Sequence, residues 1–182
     1  MSFRFQRAAA AGFTLIELLI VVIILAIISA IAIPQFSAAT SDAQSSAADA
    51  NLATVRNAIE LYRAQHAGNV NPGVRATSGA NCPDGGAPGT GEANTEQALR
   101  DQLMFASNAA GQTCTVAGGD FRYGPYLRQG IPADPFGNSD TVVVTNTGAR
   151  IVPTNNPASG WAYDFRSGEF VLNKAAETPA NP

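Results

Sequence analysis

Charge is scarce in this chain, and so are the residues that build catalytic and metal centres. Only 14% of its 182 residues are Asp, Glu, Lys or Arg, against 46% hydrophobic. One histidine, His66, and two cysteines, Cys82 and Cys114, are too few for a zinc site, and no metal ligands are assigned. There is no basic run and no basic patch interleaved with aromatics, so nothing supports nucleic-acid binding. No nucleophile motif and no placeable pair of carboxylates occurs, so no catalytic residue is named and the expectation is that the protein is not an enzyme.

What the chain does have is one long apolar run. Residues Phe13 to Ile33 pass through Leu, Ile, Val and Ala with a single charge, Glu17. A cationic leader, Met1 to Gly12 with Arg4 and Arg7, comes directly before. At a rise of about 1.5 Å per residue, such a helix crosses a hydrocarbon core of about 30 Å. A carboxylate inside it costs about 2.5–3.5 kcal/mol on insertion scales, so Glu17 is expected to be functional and to have a partner. A secretory signal is the plainer reading, and Ala30-Ile31-Ala32 fits a cleavage site. Against it, the run exceeds the usual h-region of about 7–15 residues, carries Glu17 and meets Pro34. A simple anchor gives Glu17 no role.

Gly12-Phe13-Thr14-Leu15-Ile16-Glu17-Leu18-Leu19-Ile20-Val21-Val22 resembles the N-terminal signature of type IV pilins and type II secretion pseudopilins. In that family a prepilin peptidase cuts after the glycine on the cytoplasmic side and methylates the new amine. The resemblance makes Gly12 the last leader residue and Phe13 the mature N-terminus. Processing then removes both leader arginines, leaving nine basic against fourteen acidic side chains. The family's glutamate pairs with the N-terminal amine of a neighbouring subunit, so Phe13 and Glu17 are the implied assembly residues. Opposite charges attract strongly in low dielectric, and each is heavily penalised when left alone. The implied partners are further copies in a helical homopolymer, the prepilin peptidase, an inner-membrane assembly platform, minor pilins or pseudopilins, and membrane lipid. Leader arginines orient toward the cytoplasm. That implies a single-pass protein of the bacterial inner membrane with its head in the periplasm, and a filament in the periplasm or at the cell surface.

The expected organisation is a leader (1–12), a transmembrane and assembly helix (13–33), its amphipathic continuation (34–67) and a globular head (68–182). Pro34 is a candidate kink. Leu52, Val55, Ile59 and Tyr62 recur at three- and four-residue spacing and should lie on a sheet, with Arg56, Glu60 and Arg63 toward solvent. Gly68 and Asn69 should end the helix. A Gly/Pro-rich loop (69–93) carrying Cys82 follows, then a short helix opened by Asn94 and Thr95, with Leu99, Leu103 and Met104 buried. Two hairpins are expected, Thr141–Thr145 with Ala149–Val152 and Trp161–Phe165 with Glu169–Leu172. Together these give an α+β, pilin-like fold: a long N-terminal spine on a small antiparallel sheet of three or four strands. An exported head favours a disulfide between Cys82 and Cys114, two free thiols being the alternative.

Thr95-Glu96-Gln97-Ala98-Leu99, Gly124-Pro125-Tyr126-Leu127 and Ile131-Pro132-Ala133-Asp134-Pro135-Phe136-Gly137-Asn138 resemble segments of the major pseudopilin, the G class, with Phe136 where that class has tryptophan. The resemblance implies a structural subunit of a type II secretion pseudopilus that drives protein secretion by polymerising through its N-terminal helix. That class commonly binds calcium. Here the residues after Trp161 supply too few oxygens for 6–8 ligands, and Asp134, Asn138, Asp140 and Asp164 read as turn and cap residues, so no cofactor is assigned. The cysteine pair and the 69–93 insertion are departures. They keep open a type IV pilus subunit for adhesion, twitching or DNA uptake, and behind it a membrane-anchored binding protein that never polymerises.

Overall fold

The computed structural model describes residues 13–154 and 158–174; the leader, Met1 to Gly12, lies outside them. The chain divides into two compact units, Met1–Ala43 and Gln44–Pro182.

In the first unit, α1 (Leu15–Gln65) begins two residues beyond Phe13 and runs unbroken through Pro34. Proline removes one intrahelical bond, and the helix formers around it carry the helix on. Every side chain from 13 to 31 is exposed.

In the second unit, α1 buries the expected stripe. Val55, Ala58, Ile59 and Tyr62 are inside and Leu52 packs against them. Arg56 does not simply face solvent: its Nε donates to the Phe170 carbonyl at 2.9 Å. The helix stops where Gly68 and Asn69 turn left-handed, at φ 84° and 49°. Arg75 then closes its end, donating from Nη2 to the Ala67 carbonyl at 3.3 Å, a cation at the negative pole of the helix.

Helix α2 (Glu96–Met104) starts one residue after its cap, Thr95, whose hydroxyl oxygen accepts from the Ala98 N–H at 3.2 Å. Leu99 and Leu103 face the core; Met104, expected inside, is only half-buried. A small antiparallel pair with no counterpart in the sequence reading follows, β1 (Ala106–Ser107) and β2 (Thr113–Cys114). Its turn forms because the Asn108 Oδ1 accepts from the N–H groups of Ala110 and Gln112, both at 3.0 Å.

The main sheet holds β3 (Val142–Thr145), β4 (Trp161–Asp164) and β5 (Phe170–Leu172), in that order. It corrects the all-antiparallel expectation. The second hairpin, β4–β5, forms; the first does not, because β3 pairs parallel to β4, Val142 opposite Trp161 and Val144 opposite Tyr163. Residues 149–152 make no strand. Side chains take the backbone bonds a hairpin would have used. The Thr147 and Gly148 N–H groups donate to Asp164, and the Ile151 N–H donates to Glu169. The chain between Thr145 and Trp161 exceeds the dozen or so residues that a parallel crossover needs. Trp161 and Tyr163 sit in the core against Phe170, and both polar ends are satisfied: the Trp161 Nε1 donates to the Pro132 carbonyl at 2.7 Å and the Tyr163 hydroxyl to the Pro72 carbonyl at 3.2 Å.

The 69–93 loop is held by α2 as well as by the cysteines. Asp101 accepts from the Thr77 hydroxyl (2.7 Å) and the Thr90 (2.9 Å) and Gly91 (3.0 Å) N–H groups. The Gln102 Oε1 accepts from the Gly73 N–H at 2.6 Å, and its Nε2 donates to the Gly111 carbonyl at 2.8 Å. Gly91 lies so close to the Ala98 backbone that a Cβ there would collide with it. Cys82 and Cys114 are disulfide-bonded, Cα to Cα 5.6 Å. Replacing both with alanine should therefore lower head stability by about 3–4 kcal/mol in the chain-entropy model while leaving the fold intact. Urea unfolding followed by Trp161 fluorescence measures the first. Rapid proteolysis within 69–93 of the folded variant would show that the disulfide alone holds the loop.

Candidate functional site

The N-terminus of α1 is where sequence and geometry meet. Thr14 caps the helix, and Glu17 stands three residues on, the spacing of a capping box. The Glu17 Oε2 accepts from both the backbone N–H and the hydroxyl of Thr14 at 2.8 Å, and the Glu17 N–H donates to the Thr14 hydroxyl oxygen at 3.3 Å. The carboxylate thus has hydrogen-bond donors within its own chain, which the sequence reading did not supply. They satisfy orphan helix-end N–H groups, and the helix dipole favours a negative charge there. They bring it no counter-charge, and Glu17 stands on an exposed apolar helix.

Among the described residues this is the one helix long and apolar enough to cross a membrane. A family model described as the prokaryotic N-terminal methylation motif matches residues 7–33. A curated relative, the type IV narrow pilus major component PilA5 of Thermus thermophilus, is 46% identical over 59 residues, 32% of this chain. The N-terminal part of the chain is thus similar to type IV pilins and pseudopilins. The match spans about half of that relative, 51% of its length. No solved structure matches the chain. The N-terminal apolar helix is suited to membrane anchoring.

Of the residues singled out beforehand, Phe13 is exposed beside the Thr14–Glu17 box, and Gly12 falls outside the described residues. The four oxygen-bearing residues weighed for calcium are used separately. The Asp134 carboxylate accepts from the N–H groups of Phe136 (2.9 Å), Gly137 (2.7 Å) and Ser139 (3.0 Å). Asp140 pairs with Arg100 at 3.2 Å. Asn138 takes a left-handed turn at φ 51°. Asp164, with no exposure, accepts from the N–H groups of Thr147, Gly148, Arg166 and Ser167 at 2.8–3.1 Å and from the hydroxyls of Thr145, Thr147 and Ser167 at 3.0–3.2 Å. Burial alone would push the Asp164 carboxyl up. The donors, led by Ser167, Thr147 and Gly148, outweigh it and hold the carboxyl well below the usual carboxylate range.

The segment that resembles the G class lies along α1: the Gln44 Nε2 donates to the Pro135 carbonyl at 3.0 Å, and the Asn51 Nδ2 to the Ala133 carbonyl at 3.3 Å. Phe136 carries the Lys174 ammonium over its ring, 4.2 Å from the centroid. Sequence reasoning missed the part played by His66. It is buried at the end of α1, stacked on Tyr62, with Nδ1 2.8 Å from the Tyr62 carbonyl and Nε2 3.0 Å from the Ser107 hydroxyl. Burial holds its pKa below the ordinary value. Its only early signal was a lone histidine at a helix terminus, which says nothing about a strand forty residues on.

Proposed function

We propose that this chain is a filament subunit, stored in the inner membrane after a prepilin peptidase cuts between Gly12 and Phe13, and polymerised through α1. The observation that carries the reading is the lone carboxylate, Glu17, on the first turn of an exposed apolar helix inside a prepilin-type motif. The Phe13 amine of a neighbouring subunit is the cation that would neutralise it. The head would lie in the periplasm, and at the cell surface once the filament extends.

Within that reading a type IV pilus has the support of PilA5, a pilus component by its name, and of the cysteine pair. A type II secretion pseudopilus, working with an assembly platform and minor pseudopilins, has the support of the Gly124–Leu127 and Ile131–Asn138 segments. Mass spectrometry of sheared filaments tests the common core. The expected mature N-terminus is a methylated Phe13, and recovery of chains starting at Met1 or beyond Ala32 would defeat it. Deleting the gene separates the branches: loss of surface pili marks the first, loss of protein secretion the second.

A further inference from the structure

At the end of the head where α1 stops, four loops surround an open depression of about 490 Å³, within the usual range for ligand pockets. The exposed carboxamides of Asn69, Asn94 and Asn146 line it together with the Arg166 guanidinium, and no carboxylate does. Among the described residues, none of these four side-chain head groups makes a hydrogen bond or ion pair. A carboxamide offers two donors and two acceptor sites, the same mixed capacity as a pair of vicinal hydroxyls. A guanidinium adds a fork matched to a carboxylate. Val70 and Val74, half-buried, give the depression an apolar floor.

The rim is also braced. Asn71, with 7% exposure, donates from Nδ2 to the carbonyls of Phe165 (2.8 Å) and Arg166 (3.3 Å), which fixes the turn that carries the cation. The Arg166 N–H is held by Asp164 at 2.9 Å. The backbone of the rim is therefore set before any ligand arrives, while its polar groups stay uncommitted. That arrangement limits the ordering cost of binding.

We propose that this depression binds a carboxylate-bearing sugar, such as a uronate unit of an acidic polysaccharide. The carboxylate would lie on Arg166, hydroxyls on the asparagine amides, and the C–H face of the ring on the two valines. The proposal goes beyond filament formation and does not depend on it, since binding can be read on the unassembled chain.

The test uses the full chain in detergent and trigalacturonic acid, with maltotriose as the neutral trisaccharide and triglutamate as the non-sugar polyacid. Saturable binding of the uronate is expected, at least about tenfold tighter than either control. Arg166→Gln should weaken it about tenfold, as for loss of one charge-assisted hydrogen bond. Asn94→Gly with Asn146→Ala should weaken it similarly. Asn94 is left-handed, at φ 62°, so glycine keeps its backbone. Trp161 emission confirms that the variants are folded, and Arg166→Gln on an exposed turn decides the matter if the double variant is not. No saturable binding, unchanged affinity in the variants, or equal binding of triglutamate would overturn the proposal.

Discussion

Replacing Glu17 with alanine is expected to leave the protein inserted in the membrane while reducing recovered filaments by more than about tenfold. Insertion should not suffer, because the variant removes a charge from an apolar helix, where charges cost up to about 2.5–3.5 kcal/mol at the helix centre. Assembly should fail because the amine of the incoming subunit loses its counter-charge, and breaking one side of a desolvated pair costs about 3–5 kcal/mol. The capping box sets a sharper comparison. Glutamine at N3 still completes the box with Thr14, yet it carries no charge. Glu17→Gln should therefore preserve the helix start and fail to assemble like the alanine variant. Immunoblots of sheared filaments against the membrane fraction measure both. Full filament yield from Glu17→Gln would mean that the residue acts only as a cap, and the charge-pairing mechanism would be wrong.

The second large effect lies in the head. Asp164→Asn should destabilise it by about 3–5 kcal/mol, because an amide presents N–H where buried N–H and O–H donors converge on the Asp164 carboxylate. Trp161, the only tryptophan, is buried three positions earlier on the same strand, so its emission follows the unfolding. The carboxyl has a folded pKa below its unfolded value of about 3.9. Its contribution is thus fully present above that value and is lost as pH falls through and below it. Asp134 acts in the same direction: burial opposes its ionisation, but the N–H groups of Gly137, Ser139 and Phe136 win and lower its pKa. Wild-type urea midpoints should decline from about pH 4 downward, and Asp164→Asn should flatten much of that decline. An acid profile of the variant parallel to the wild type would remove Asp164 from this role.

Local patterns were legible wherever the physics is local. The apolar run and its lone acid, the stripe Val55, Ile59 and Tyr62, the stop at Gly68-Asn69 and the Thr95 cap depend on neighbours within a turn or two, and the structure has each in place. The β4–β5 hairpin was readable for the same reason, a short turn joining two apolar runs. The other hairpin failed although its segments looked alike. What decided it was Asp164, sixteen residues beyond Gly148, which took the turn's N–H groups and drew β3 into parallel register. Nothing near residues 141–152 announces that competitor. The 69–93 loop shows the same limit, since its ordering resides in Asp101 and Gln102 on a helix that looked merely amphipathic.

The sequence by itself determined the long apolar helix and the isolation of Glu17 within it, because solvation of a twenty-residue apolar helix and the electrostatics of one charge need no third dimension. Only the tertiary structure decided the parallel strand, the closure of Cys82 on Cys114, the burial of His66 and the convergence of loops around Arg166. Each of these joins groups far apart in the chain, and which distant donor satisfies a given buried acceptor is settled by the packing of the whole head.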